Sequence, residues 1–489
     1  MVLILMSWFF WLLLILVSFA FAQLMKYAFN AKLYLFLISM VSSKKAVKIL
    51  DWFERDKFWL ELSKIGIFLG FGFFGILYWY IHSLLQGKRK DILPFIGYSI
   101  SILIIGLLLG QFGSMNNSTF YVLNVIVFFF FGFAGFGILL LGYQAFYIIK
   151  GYISGRVSCP GVVPVIPGVT IPGTDLKIPF FEGWLALIMI MIVHELSHGV
   201  LARKVNIYVK SFGLLLLGFF PIGAFTEPDE RELQKAKTRD QLLVYSSGPT
   251  FNLLFALVVF LLSLGLTLIF GSYLITNQTQ SVDGLYLVAV SDYSGMCNLG
   301  VKSQNTSSLN PLFSQLDNNK ESFFKEYSAR IVSLDSNLIF TRLDFSKTLK
   351  EAIDKNKTTV ELVLFVEDIN KTKSLYYTAN LSLNTDKSLG IKSVEKPKEN
   401  HPFNFWYLFL VFILTTMQWT YLLSFMVGLF NYIPIKPLDG GAMLPHLVDE
   451  FIPKYTREEK RKKIIGIVGW TIIILFLTLI LINALPLFI

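Results

Sequence analysis

Residues 181–203 read FEGWLALIMIMIVHELSHGVLAR. This apolar stretch is long enough to cross a bilayer, and its second half carries His194-Glu195-Leu196-Ser197-His198. On a helix, positions i and i+4 share one face, so both imidazoles point at one place. The chain has only 5 histidines, and two of them stand four apart around a glutamate. Neutral imidazoles hold Zn²⁺ well, and a carboxylate beside the first can take a proton from water that the metal acidifies. Ionisable groups are costly at membrane depth, so a His-Glu-His cluster there points to function rather than packing.

Working outward, the class of the whole chain follows from composition. Of 489 residues, 54% are hydrophobic and only 16% charged, and the mean hydropathy of +0.60 lies far above that of a soluble domain. Apolar runs cover about residues 2–24, 65–85, 93–112, 120–149, 181–203, 243–270, 403–430 and 465–487. By length these make about eight spans. The fold class is therefore a polytopic α-helical membrane protein with one small soluble insert. The net charge of +10 sits in short basic clusters between apolar runs, as positive-inside topology requires. No basic stripe with interleaved aromatics occurs, so nucleic acid is excluded as a partner class. The lipid bilayer is the expected surrounding. Cys159 and Cys297 allow at most one disulfide, and two separate thiols are the simpler expectation.

The first run, 2–24, lacks a basic n-region and a small-residue cleavage site, and reads as a retained anchor. Residues 43–64, with Lys44, Lys45, Lys48, Arg55 and Lys57, read as a cytoplasmic amphipathic helix. The run at 120–149 is too long for an upright span and must tilt or protrude. The basic segments Lys204–Arg239 and Lys454–Lys463 are expected on the cytoplasmic side, which puts residues 271–402 outside. The sequons at Asn277, Asn305, Asn356, Asn370 and Asn380 agree with that side. Counting back puts Lys88-Arg89-Lys90 outside and Asn117-Ser118-Thr119 inside, against both rules, so orientation before residue 150 stays open. Residues 151–179 are rich in proline and glycine and read either as a rigid connector or as a cover beside the site.

The insert has strand-like runs at Leu285–Val290, Arg330–Leu334, Val360–Val366 and Leu375–Leu383, with a helix pattern at Ser346–Lys355. This order suits either a PDZ-like domain, which binds an extended segment at a sheet edge, or a generic small β-rich domain.

Two histidines leave a catalytic zinc site one ligand short. Asp439 is the leading third ligand. It lies in Asn431-Tyr432-Ile433-Pro434-Ile435-Lys436-Pro437-Leu438-Asp439-Gly440-Gly441, where prolines end a helix and paired glycines permit a tight turn. His446, seven residues on, is its competitor. His82 and His401 read as interfacial residues. Near the start of the 243–270 run, Gly248-Pro249-Thr250-Phe251-Asn252 places an amide about one turn inside the helix. Asn252 suits either a substrate carbonyl or oxyanion, or a helix–helix hydrogen bond. The stretch Tyr208–Thr226, interrupted by Gly213, Gly218, Pro221 and Gly223, predicts a membrane-dipping β-hairpin or small sheet whose open edge can pair with an unwound strand.

Together, His194-Glu195-Leu196-Ser197-His198, Gly248-Pro249 with Asn252, and Asn431, Pro434 and Leu438-Asp439-Gly440 resemble the site-2 protease family of zinc intramembrane metalloproteases. The resemblance covers about residues 155–489. It implies one catalytic Zn²⁺ held by His194, His198 and Asp439, with Glu195 activating water and Asn252 and Asn431 positioning substrate backbone. Membrane-spanning proteins are the implied substrates, cut in or next to a transmembrane segment, with the active site towards the cytoplasm. Pro437 departs from the family pattern and stiffens the approach to Asp439. The resulting division is an N-terminal transmembrane extension (1–150), a first half of the protease core (151–270), an extracytoplasmic PDZ-like insert (271–402), and a second half with the final span (403–489). A prokaryotic cell membrane is the expected location. Two other classes stay open: a non-proteolytic binding protein or chaperone with structural zinc, and an ion-coupled transporter, for which paired broken helices would be the sign.

Overall fold

A computed structural model of the chain describes residues 16–28, 31–34, 38–43, 47–53, 56–85, 92–111, 118–154, 160–169, 177–218, 220–290, 327–368, 374–383, 389, 391–397, 404–453 and 455–488. Cys159, Cys297, His401, Asn305, Asn370, the Lys88-Arg89-Lys90 cluster and most of the first apolar run lie outside these residues. Among the described residues, seven helices are long and apolar enough to cross a membrane. They match the last seven of the eight apolar runs.

Helix α1 covers residues 16–28. It is followed by strands β1 (Lys32–Tyr34) and β2 (Ile38–Ser43) and helices α2 (Val47–Phe53), α3 (Phe58–Leu85), α4 (Ile92–Leu109) and α5 (Ser118–Ile153). The stretch 43–64 is thus not one amphipathic helix. It divides into the end of β2, the short α2, and the first turns of the spanning α3. Then come α6 (Phe180–Lys204), which holds the histidine pair, the hairpin β3 (Val209–Leu217) and β4 (Phe220–Pro228), the short α7 (Glu230–Lys235), and α8 (Thr238–Ser281).

The predicted hairpin is present, and it belongs to a larger sheet. β1 and β2 join it in the order β1-β2-β3-β4, with Ile38 paired to Leu217 and Val41 to Leu214. Four strands satisfy backbone that a lone hairpin would leave open. Arg203 at the end of α6 binds Asp51 of α2 at 2.5 Å, tying this sheet's N-terminal flank to the histidine helix.

The overlong run at 120–149 is explained by a break. α5 has 36 residues and a non-helical Gly132 (φ 58, ψ −147). α3 has a matching break at Gly72 (φ 58, ψ −140). The two glycines meet: a Cβ on Gly132 would lie 2.2 Å from the carbonyl oxygen of Leu69, and one on Gly72 would lie 2.5 Å from that of Phe129. Only glycine populates this backbone region and permits backbone-to-backbone contact.

The insert begins where α8 ends, with no loop between them. Strands β5 (Val282–Val290), β6 (Tyr327–Leu334), β7 (Asn337–Leu338), β8 (Thr359–Asp368), β9 (Ser374–Ser382) and β10 (Ile391–Pro397) pair antiparallel in the order β10-β5-β6-β8-β9, with β7 on β6. Helix α9 (Arg342–Asp354) starts with a capping box formed by Thr341 and Asp344, which satisfies two backbone amides reciprocally. Leu285, Ile331, Leu362, Leu364 and Leu381 form the insert's own core. The strand, strand, helix, strand, strand order is present. β7 and β10 are additional, since one has two residues and the other alternates charge and ends in proline.

The chain returns through α10 (Phe405–Asn431), the short α11 (Asp439–Phe451) and α12 (Glu458–Ala484). α8 and α10 form the most extensive helix pair. Gly428 admits Leu253, whose Cγ would lie 2.9 Å from a Cβ there, and small residues of this kind let membrane helices approach closely. Gly132→Ala is expected to lower stability by about 1–3 kcal/mol from backbone conformation alone, and by more from the overlap with α3. Gly142, with open space around its Cβ position, should accept alanine with a gain of up to about 1 kcal/mol. Thermal unfolding of the two variants in detergent checks this difference.

Candidate metal centre

The histidine helix supplies the first two groups. His194 Nε2 and His198 Nε2 lie 3.2 Å apart, as the i, i+4 spacing predicts. Each ring is held from behind. His198 Nδ1 lies 2.8 Å from the Val244 carbonyl of α8. A carbonyl only accepts, so Nδ1 carries the proton and Nε2 presents a lone pair. Ser247 Oγ stands 3.2 Å from the same nitrogen and donates to Val244 O at 2.6 Å.

His194 Nδ1 meets the Asn252 side-chain amide, Nδ2 at 3.0 Å, while Asn252 Oδ1 is buried without a partner. An amide's oxygen and nitrogen exchange places by a half-turn. The turned amide puts Oδ1 on His194 Nδ1–H and frees the His194 Nε2 lone pair, which is the tautomer a metal ligand needs.

The third group arrives from the other half of the chain. α10 ends at Asn431, and a tight segment follows in which Leu438 N–H donates to Ile435 O at 2.9 Å. The Lys436–Pro437 peptide is cis. α11 then begins at Asp439, so the carboxylate occupies a helix N-terminus, where backbone dipoles favour negative charge. Its Oδ2 lies 3.2 Å from His194 Nε2 and its Oδ1 3.4 Å from His198 Nε2. The glycines after it allow this approach. A Cβ on Gly440 would fall 2.2 Å from the Tyr432 carbonyl oxygen, and one on Gly441 would fall 2.2 Å from the Ile435 carbonyl carbon.

One ligand atom from each of His194, His198 and Asp439 lies within 4.8 Å of the others. All three side chains are largely buried, at 14, 13 and 17% exposure, and Asp439 Oδ2 accepts no hydrogen bond. Two imidazole lone pairs and an unsatisfied carboxylate oxygen converging on one point fit a divalent cation with tetrahedral preference and room for water. His446 does not join the group. Its ring stacks on Tyr245, centroids 6.5 Å apart.

Glu195 is held by the sheet. Its Oε2 accepts the Thr226 N–H at 2.8 Å, and its backbone oxygen accepts the Thr226 hydroxyl at 2.5 Å. β4 is the last strand of its sheet. Thr226 and Ala224, opposite Phe212 and Leu214, share the same backbone phase. Thr226 directs its N–H away from β3, so Ala224 does too. Asn431 donates its side-chain amide to Val427 O, one turn back on α10, at 3.0 Å.

Four supporting residues are not legible as such in the sequence: Thr226, Val244, Ser247 and Gly248. A Cβ on Gly248 would lie 2.4 Å from His198 Nε2 and 2.6 Å from His194 Cε1, so only glycine lets α8 lie against both rings. Its place before Pro249 carries a signal, but Gly248-Pro249 does not open the helix: α8 begins at Thr238, so Pro249 is internal and Asn252 lies well past the first turn. The other three act through contacts 31 to 49 residues apart in the chain, which leave no local pattern.

A family model for peptidase family M50 matches residues 182–477, more than half of the chain, and the matched region contains all the groups just described. An uncharacterized protein of Methanocaldococcus jannaschii is 27% identical over 285 residues, which is 58% of this chain and 60% of the relative. The match thus spans less than two thirds of that protein's length.

Gly248→Ala should push the imidazoles apart and reduce bound zinc well below one ion per chain, with helix content unchanged. Elemental analysis beside circular dichroism checks this.

Proposed function

Because the chain belongs to peptidase family M50, the site-2 protease family, we propose that it is a zinc endopeptidase that hydrolyses peptide bonds in or next to transmembrane segments of other membrane proteins. The observation that carries this reading is the convergence of His194, His198 and Asp439 beside Glu195 among membrane-spanning helices. M50 peptidases are membrane-embedded metalloproteases, and the donor set suits zinc in particular.

Zinc held by these three residues supplies a Lewis acid for the scissile carbonyl and acidifies water. The protein's own groups do the rest. Glu195, oriented by Thr226, takes the proton of the attacking water and delivers it to the leaving amine. Asn252, with its oxygen on His194 Nδ1–H, holds that ring with Nε2 free for the metal, and it is also the first amide assigned to substrate backbone. Asn431 is the second amide assigned to substrate backbone.

A substrate helix hides its carbonyls in i→i−4 bonds and must unwind before attack. The outer edge of β4 is suited to receive the unwound strand, because Ala224 directs its backbone groups to that edge two residues from Thr226, which holds Glu195. The insert acts as a PDZ-like module outside the membrane, and the active site faces the cytoplasm of a prokaryotic cell. Basic residues on both flanks of the metal centre, in 204–239 and 454–463, support that orientation.

One observation favours transport instead: α3 and α5 are both broken where they cross. The crossing segments, 66–77 and 125–141, contain no ionisable side chain, so the crossing offers no ion pathway of the kind transporters build.

The deciding experiment reconstitutes the chain with a single-span reporter, with and without a chelator. Wild-type protein should cleave it, and chelation should stop cleavage. Glu195→Gln should keep zinc and lose cleavage by a factor of about 10² or more, while Asp439→Ala should lose both. Undiminished cleavage by Glu195→Gln would refute the assignment. Ala224→Pro should slow cleavage and leave zinc content intact; normal turnover would remove the β4 edge from the mechanism.

A further inference from the structure

Tyr432 is fully buried and joins three parts of the molecule. Its hydroxyl lies 2.7 Å from Thr250 Oγ1 of α8. Thr250 gives its own proton to Ser246 O, so the tyrosine is the donor. Its ring stacks on Phe133 of α5, with centroids 6.3 Å apart and planes at 14°. It also fills a slot in α3 left by two glycines one turn apart. A Cβ on Gly70 would lie 2.3 Å from Cδ1 and Cε1 of the ring, and one on Gly66 would lie 2.8 Å from the hydroxyl and 1.7 Å from Thr250 Oγ1.

The backbone of the same residue faces the other way. The Tyr432 carbonyl oxygen is the atom on which Gly440 rests, and Gly440 is bonded to Asp439. Ile433, next along, packs on Gly137 of α5, at 3.4 Å from the Cβ position. Close contacts therefore run without a gap from α3 and α5, through the ring, to the backbone that carries the Asp439 carboxylate. The breaks at Gly72 and Gly132 shape this arrangement. They let α3 and α5 touch backbone to backbone, just beyond Gly70 and beside Phe133.

We infer that the N-terminal helices α3 and α5, which lie outside the region matched to the family, set the position of the third metal ligand, and that Tyr432 is the positioning residue through which they do so. The extension is then part of the metal centre's support rather than an appendage. The inference rests on the metalloprotease reading for the role of Asp439, and its test reads metal binding rather than cleavage.

The test uses the full chain in detergent, loaded with zinc or with cobalt(II). Two readings are taken: the rate of zinc release to a chelator, and the visible absorption of the cobalt form, which reports the ligand set. Gly70→Ala should speed zinc release about 10- to 100-fold, the range typical of groups that orient metal ligands. It should also move the cobalt spectrum towards that of Asp439→Ala. Tyr432→Leu should do the same, and Gly70→Ala should add little in the Tyr432→Leu background, because the ring it displaces is gone. Gly97→Ala, with open space at its Cβ position, should match wild type. If Gly70→Ala does not fold, Tyr432→Leu alone decides.

Wild-type zinc release and an unchanged cobalt spectrum in folded Gly70→Ala or Tyr432→Leu would overturn the inference while leaving the metalloprotease reading intact. Equal effects of Gly70→Ala with and without the Tyr432 ring would overturn the route through that ring. Failure of the wild-type chain to take up either metal would sink the metalloprotease reading, and this inference with it.

Discussion

A carboxylate among apolar helices, pressed against two imidazoles, is the constraint around which the fold is organised. Isolated charge is expensive in a low-dielectric interior and persists there only when paired. Asp439 has one compensation from the protein and is arranged for a second. It sits at a helix N-terminus, and its unsatisfied oxygen converges with two imidazole lone pairs where a cation would be held. Each compensation requires backbone to come unusually close, and the glycines at 248, 440 and 441 stand where that happens. The site is built from two separate halves of the chain, so neither half has a stable version of it alone.

The surroundings divide the labour. α8 locks the tautomer of one histidine through a main-chain carbonyl and faces the other with an amide. The four-stranded sheet fixes the glutamate through one threonine, using both its N–H and its hydroxyl. A carboxylate held by one backbone donor keeps one oxygen engaged and one available, as the proposed proton transfer requires. Ser424 adds a link by donating to the Asn252 backbone carbonyl at 2.8 Å, so the α8–α10 pair is bonded at the residue whose side chain meets His194.

What the sequence revealed was mainly local. The i, i+4 histidines and the proline-glycine turn at Asp439 express their chemistry within one helix turn or one loop, and the structure brings them together as that chemistry demands. The hairpin over Val209–Pro228 was legible because glycine and proline forbid a helix there. That β1 and β2 complete the sheet was not, because Ile38 meets Leu217 across about 180 positions of sequence, and six residues of mixed polarity carry no signature of their partner. The breaks in α3 and α5 were equally hidden. Glycine is common in membrane helices, and its presence does not announce which one abandons the helix. Tyr432 looked like an unremarked neighbour of the Pro434 turn, since the slot that receives it lies more than 300 positions earlier in the sequence.

α8 continues from the turn bearing Asn252 to Ser281, and β5 starts at Val282 without an intervening loop. About 30 residues of helix form a stiff rod of roughly 45 Å. A slack linker would let the insert's first strand turn independently of the membrane helices. Here the direction of that strand and the place of the amide beside His194 are fixed by one continuous helix.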